Sequence, residues 1–193
     1  MLHVLDESLE AFLRATVPLP AREIDVAFDA PDKEWAARVS RPTINLYLWD
    51  VRRNVSTRYV GTDDPGEGNG HAHRRGPSFR VDCRYLVTAW TSDVRDEHAL
   101  LGATLTVLLQ HTELERKYLQ GAYRDAARVP FIELGADDGR DNSGFWSALG
   151  GQLKPGLDLT VTTTVDTALL TSASRPADQL TITTHGNGAP NRG

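Results

Sequence analysis

The chain has 193 residues, 40% hydrophobic and 24% charged, with a formal net charge of −5 and a single cysteine. That length suits one core and is short for two. The acidic balance argues against a dedicated nucleic-acid binder, no stretch reaches the roughly 18 apolar residues of a membrane span, and Cys83 alone rules out an intrachain disulfide framework.

The N-terminus reads Met-Leu-His-Val-Leu-Asp-Glu-Ser. It has acids where a signal peptide needs a basic start and an apolar run, so a cytoplasmic location is expected. Leu2, Leu5, Leu9, Phe12 and Leu13 fall on one stripe at three- and four-residue spacing, with Asp6, Glu7, Glu10 and Arg14 opposite. This predicts an amphipathic helix that Pro18 and Pro20 end. Ile24, Val26 and Phe28 alternate with Asp25 and Ala27, the period of a half-buried strand. Pro31-Asp32 marks a turn. Residues 43–52 predict a strand apolar on both sides, hence central or covered on both faces.

Residues 61–77 contain five glycines and no large apolar side chain. Such a segment cannot bury enough surface to offset its ordering entropy and reads as a long mobile loop. Inside it, His71, His73, Arg74 and Arg75 form a small basic cluster that reads first as a solvated face and second as a contact to an acidic protein partner. Two imidazoles fall short of the four ligands of a structural metal site, and no metal is expected.

From Phe79 to Thr91 the alternation predicts the best strand, running from a half-exposed start into the core. The best helix follows, about 93–112, capped by Ser92 or Asp93 with Asp96 and Glu97 in its first turn. Leu101, Leu105, Leu108 and Leu109 are read as its inward face, widened by Leu100 and Val107, so deep burial is expected. Leu114 to Arg128 predicts a short broken helix, Val129 to Leu134 an edge strand led by Pro130, and Ser143 to Leu149 one or two helical turns. Residues 157–166 alternate, with Leu157, Leu159, Val161, Thr163 and Val165 inward. A last alternation, Gln179, Leu180, Thr181, Ile182, Thr183 and Thr184, lies beyond the main pattern and precedes a Gly-rich end expected to be disordered.

The order of elements predicts an α+β fold: a mixed, mostly antiparallel sheet with helices packed on one face. Residues 1–168 are read as the domain and 169–193 as a C-terminal extension. No catalytic, cofactor or metal residues are assigned. Cys83 lies on a strand face without a neighbouring base in sequence and reads as packing. Asp96-Glu97-His98 are consecutive on a helix and do not share a face. His111 and Glu115 fit a surface pair. Asp137-Asp138-Gly139-Arg140-Asp141 lacks the closing acid of a calcium loop.

Three segments carry a resemblance. They are Arg-Pro-Thr-Ile-Asn-Leu-Tyr-Leu-Trp-Asp-Val-Arg-Arg-Asn at 41–54, Arg-Tyr-Leu-Val-Thr-Ala-Trp-Thr at 84–91 running into Asp-Glu-His-Ala-Leu-Leu-Gly at 96–102, and Phe-Trp-Ser-Ala-Leu-Gly-Gly at 145–151 leading into Leu-Lys-Pro-Gly-Leu-Asp-Leu-Thr-Val-Thr at 153–162. In this order and spacing the chain resembles the tail-terminator, or cap, proteins of extracellular contractile injection systems, of the antifeeding-prophage and Photorhabdus virulence-cassette type. The resemblance covers most of residues 1–168. It implies a phage tail-terminator-like fold and a hexameric ring that ends growth of the inner tube and clamps the sheath. It implies no catalytic residues, no cofactor, no nucleic acid and no membrane. The strand 179–184 is then expected to add to a sheath subunit, in the manner of β-augmentation. Two other readings are a collar or baseplate adaptor of the same particle, distinguished by which end of the particle carries it, and a small metal-dependent hydrolase, which would need converging titratable groups.

Overall fold

A computed structural model describes residues 1–18, 23–55, 73–74, 79–126, 128–135, 146–147, 150, 153–165 and 171–172. Helix α1 (Leu2–Thr16) buries Leu5, Leu9, Phe12 and Leu13, the expected stripe. Strand β1 (Asp25–Ala27) follows, then helix α2 (Lys33–Arg38), then β2 (Thr43–Arg53). The turn expected at Pro31-Asp32 is the start of α2. Asp32 accepts a 2.7 Å hydrogen bond from the Trp35 amide and so caps it. With a helix between them, β1 and β2 run parallel.

A two-residue strand β3 (His73–Arg74) pairs antiparallel with the last strand, β7 (Thr171–Ser172). Strand β4 (Phe79–Trp90) is the longest. Helix α3 (Val94–Gln110) starts at Asp93, whose carboxylate accepts from the amides of Arg95 and Asp96. The predicted broken helix is two 3₁₀ turns, Arg116–Tyr118 and Gly121–Tyr123. Strands β5 (Phe131–Leu134) and β6 (Gly156–Val165) complete the order. Trp146 and Ser147 are helical, inside the segment expected to turn.

The main sheet has the order β1-β2-β4-β6-β5, and every pairing but β1–β2 is antiparallel. This is the mixed α+β sheet that the alternation predicted. Register explains its two faces. Leu46 pairs with Val87, and Val87 with Leu157; Tyr85 pairs with Leu159 and Cys83 with Val161. These side chains join α1 and α3 in one core. On the opposite face, Leu86 and Trp90 of β4 meet Trp35, Trp146 and Trp49, so all four tryptophans of the chain gather there. The Trp35 and Trp90 rings meet edge to face at 5.2 Å. The two long helices share one face, and the short α2 anchors a second, aromatic core on the other.

Helix α3 turns a different side inward from the one its leucines suggested. Its buried residues are Glu97, Leu100, Thr104, Val107 and Leu108. Leu101 and Leu105 are half-buried, and Leu109 is 65% exposed. The helix has apolar residues on two sides, and the sheet takes only one of them.

The sheet ends differently at its two edges. The start of β5 is covered by residues 112–114, through Ile132 N–H to Thr112 O at 2.8 Å and Leu114 N–H to Pro130 O at 2.9 Å. At the other edge β1 pairs with only Thr43 to Asn45 of β2. Strand β2, expected to be covered throughout, is accordingly buried over its first four residues and exposed over its last three.

Candidate functional site

The groups that could carry chemistry are dispersed. Cys83 is fully buried, and burial pushes its thiol up to about 11, so it is neither reachable nor ionised near neutrality. Of the run Asp96-Glu97-His98, only Glu97 turns inward. It forms an ion pair with Lys154, whose ammonium also sits 4.4 Å over the Trp90 ring. His111 lies 3.9 Å from Glu115, and its Nδ1 is 2.8 Å from the Val107 carbonyl. Its ring also meets Phe12 at 5.0 Å, which makes it a packing group at the end of α3.

A second buried polar pair joins α1 to β4. The hydroxyl of Tyr85 donates to Asp6 Oδ1 at 2.8 Å. Burial raises the Asp6 carboxyl above its ordinary range, against the pull of that hydrogen bond. Burial and the neighbouring Asp6 drive the Tyr85 phenol upward as well. The shift of the phenol keeps its proton on Tyr85, so the hydroxyl stays the donor. Thr163 donates to the Tyr123 hydroxyl at 3.1 Å, and Ser8 Oγ accepts from the Gln120 amide at 3.0 Å. These bonds fasten the 3₁₀ segment to the sheet and to α1.

The outer face of the sheet is laced across its strands. Asp82 of β4 accepts from Asn54 Nδ2 at 3.0 Å and from Thr162 Oγ1 of β6 at 2.7 Å. Arg84 pairs with Asp158 of β6 while its guanidinium lies 4.5 Å over the Trp49 ring of β2. Each contact spans neighbouring strands, so the network stiffens the sheet.

Two open clefts flank this plate. One of about 380 Å³ lies between β1 and α2, where Arg41 pairs with Asp25 at 3.0 Å. The other, about 550 Å³, lies at the β5 side and is lined by Arg80, Arg116, Arg128, Glu113, Glu115 and Phe131. No histidine or cysteine lines either cleft. Among the described residues no group of three metal-ligating side chains occurs, and no helix is long and apolar enough to cross a membrane.

Of the sequence-predicted contact residues, His73 and Arg74 lie on β3. His71, Arg75 and the strand from Gln179 to Thr184 lie outside the described residues. Sequence reasoning missed the Glu97–Lys154–Trp90 cluster. Its one signal was an acid at a position in phase with Leu100, Thr104 and Val107.

The architecture has known counterparts. A family model described as the Pvc16 N-terminal domain matches residues 4–179. Two solved structures share the fold. One is the PVC sheath/tube terminator of an extracellular contractile injection system in its extended state: TM-score 0.73, 17% identity, 99% of this chain and 65% of that one. The other is the tube-terminating cap of the anti-feeding prophage: TM-score 0.67, 20% identity, 93% of this chain and 60% of that one. The chain thus spans just under two thirds of the length of each. No curated protein matches the sequence.

Proposed function

The chain belongs to the Pvc16 N-terminal domain family, and on that premise we propose that it is a structural terminator of a contractile injection particle. One observation carries the reading: almost the whole chain follows the fold of a sheath/tube terminator at TM-score 0.73, although only 17% of residues are identical. The physical layout agrees. A sheet packed on both faces and laced by Asp82, Arg84 and their partners is a stiff body. Its polar groups serve to fix strands and helices.

In this reading the subunits close into a hexameric ring on the end of the inner tube, since heterologous contacts close when their rotation permits. The sheath is the second partner. The strand from Gln179 to Thr184 adds to a sheath subunit by main-chain pairing, and His71, His73, Arg74 and Arg75 meet an acidic partner surface. Assembly takes place in the cytoplasm. The protein makes and breaks no bond and needs no metal, nucleic acid or membrane.

The test is assembly with the particle's tube and sheath proteins. With the full chain present, tube lengths should narrow and the label should sit at the end away from the baseplate. Deleting residues 173–193 should leave the ring and the tube cap but lose the sheath cap. A label at the baseplate end would overturn the terminator reading. Normal sheath capping by the truncated protein would overturn the strand assignment alone.

A further inference from the structure

We infer that the cleft beside β5 is a docking site for an acidic segment of another protein, and that Arg80 is the side chain that takes a carboxylate of that partner. The inference goes beyond the terminator reading and does not depend on it. Arg80, Asp82, Arg84 and Leu86 alternate onto one face of β4, the outer one. The aromatic core occupies that face around Leu86, Trp90 and Trp49. Toward the start of β4 the same face becomes part of the open cleft of about 550 Å³. There Arg80 pairs in register with Thr164 of β6, and Thr162 with Phe131 of β5, whose ring is 40% exposed. Arg116 and Arg128 line the cleft with them.

Four arginines stand on β2 and β4. Arg52 pairs with Asp50 at 2.6 Å, Arg53 lies 4.5 Å over the Phe79 ring, and Arg84 holds both Asp158 and the Trp49 ring. Arg80 is the exception: it is half-buried, yet it has no ion pair, hydrogen bond or ring contact among the described residues. A guanidinium drawn partly out of water without a partner carries a cost that an incoming carboxylate offsets. Arg116 is held ready in another way. Its Nη1 donates to the carbonyls of Ala126 at 3.0 Å and Arg124 at 3.4 Å, which fixes the side chain and leaves its charge whole. A partner does not have to order it. Of the two acids in the cleft, Glu115 is paired with Lys117 at 2.7 Å, and Glu113 stands exposed, bridged by its backbone to Phe131. Three guanidiniums thus meet one uncommitted carboxylate, in a chain whose net charge is −5.

The chemistry of the lining selects a protein segment. Arginine and aromatic side chains are enriched at the centres of protein–protein contacts, and Phe131 offers an apolar contact that an inorganic anion cannot use. A nucleic-acid strand is disfavoured, because the two glutamates in the cleft and the acidic chain around it repel a continuous run of phosphates. An acidic peptide can set its carboxylates on the arginines and its apolar side chains against Phe131.

The experiment is fluorescence anisotropy of the full chain with a labelled peptide in which aspartate and glutamate alternate with leucine. The competitors are the same peptide with asparagine and glutamine, inorganic phosphate, and a single-stranded oligonucleotide. The acidic peptide should bind, its affinity should fall with added salt, and none of the competitors should displace it at equal concentration. Arg80→Gln should weaken binding about tenfold or more, whereas Arg95→Gln, at an exposed arginine at the start of α3, should leave it unchanged. Arg80 has no partner to lose, so R80Q should melt no lower than the wild type, a result that a structural arginine would not give. Glu113→Gln removes the repelling carboxylate from an exposed position and should tighten binding about threefold. A wild type that leaves the peptide free, equal binding by R80Q, or binding by E113Q that is no tighter would each overturn the site. Displacement by phosphate would make it an anion site and displacement by the oligonucleotide a nucleic-acid site, and either would overturn the assignment to an acidic protein. All of these outcomes leave the terminator reading standing.

Discussion

The Tyr85 hydroxyl on β4 donates a 2.8 Å hydrogen bond to the Asp6 carboxylate on α1, the N-terminal helix. Tyr85 is fully buried, so this bond satisfies a group that water cannot reach. Asp6→Ala removes the acceptor and leaves the hydroxyl orphaned, at a cost of about 1–3 kcal/mol. Urea denaturation of D6A should show this; a loss below about 0.5 kcal/mol would mean that the hydroxyl finds another partner.

Asp6→Asn tests the charge apart from the bond. Burial raises the Asp6 pKa above its ordinary 3.8, outweighing the bond from Tyr85. The folded chain therefore holds this proton more tightly than the unfolded chain. The stability it contributes is fully present below pH 3.8 and is lost as pH rises through the raised folded value. An asparagine keeps an acceptor oxygen and never ionises. D6N should thus gain on the wild type as pH rises from about 4, then level off. A difference in unfolding free energy that stays flat from about pH 3 to about 7 would contradict the assignment.

Glu97 and Lys154 form an ion pair whose side chains are 11% and 21% exposed, beneath the Trp90 ring. Removing one partner strands the other's charge. Lys154→Met should cost about 2–4 kcal/mol, near the range for breaking a buried pair. Glu97→Leu combined with Lys154→Met should recover most of that loss, because neither charge then remains buried. Additive losses in the double-mutant cycle would show that the two side chains do not act together.

Gly121 sits at φ +47°, and a Cβ added there would stand 2.9 Å from Val4 Cγ1 of α1. Gly121→Ala should cost about 1–2 kcal/mol for the left-handed backbone, and more for the clash. Trimming Val4 to alanine in the same protein should relieve only the clash. Melting curves of the single and double variants separate the two parts; an unchanged G121A would place the residue at another φ.

Much of the fold was written in local patterns. In β4, Cys83, Tyr85, Val87 and Ala89 alternate with Leu86 and Trp90, and the sheet buries the two sets on opposite faces. Ser92 or Asp93 marked the start of α3, and Asp93 is the one that caps it. What stayed hidden depends on partners distant in sequence. Six residues are too few for a helical period to show in α2, which is fixed by Asp32 and by Trp35 against Trp90. Glu97 could not be known as buried, because its partner Lys154 lies 57 residues on. The leucines of α3 point two ways, and which way is inward depends on the sheet beneath. Apolar periodicity finds a helix but cannot say whether a second stripe faces a core or a neighbour.

Cys83 gives a direct check on the inner face of the sheet. It is the only thiol in the chain, it pairs in register with Val161 of β6 and Val51 of β2, and it is fully buried. Alkylation needs both exposure and the thiolate, and burial raises its pKa to about 11. The native protein should therefore resist iodoacetamide at about pH 8, and the urea-unfolded chain should react at the rate of a free thiol. Slow labelling of the native protein should track the fraction of molecules that open globally, as long as α1 stays packed with the sheet around Cys83. Variants that loosen the α1 contact, Asp6→Ala above all, should speed labelling in proportion to their loss of stability. Rapid labelling of the folded wild type would mean that α1 lifts off the sheet by itself, and that the body built on it is not rigid.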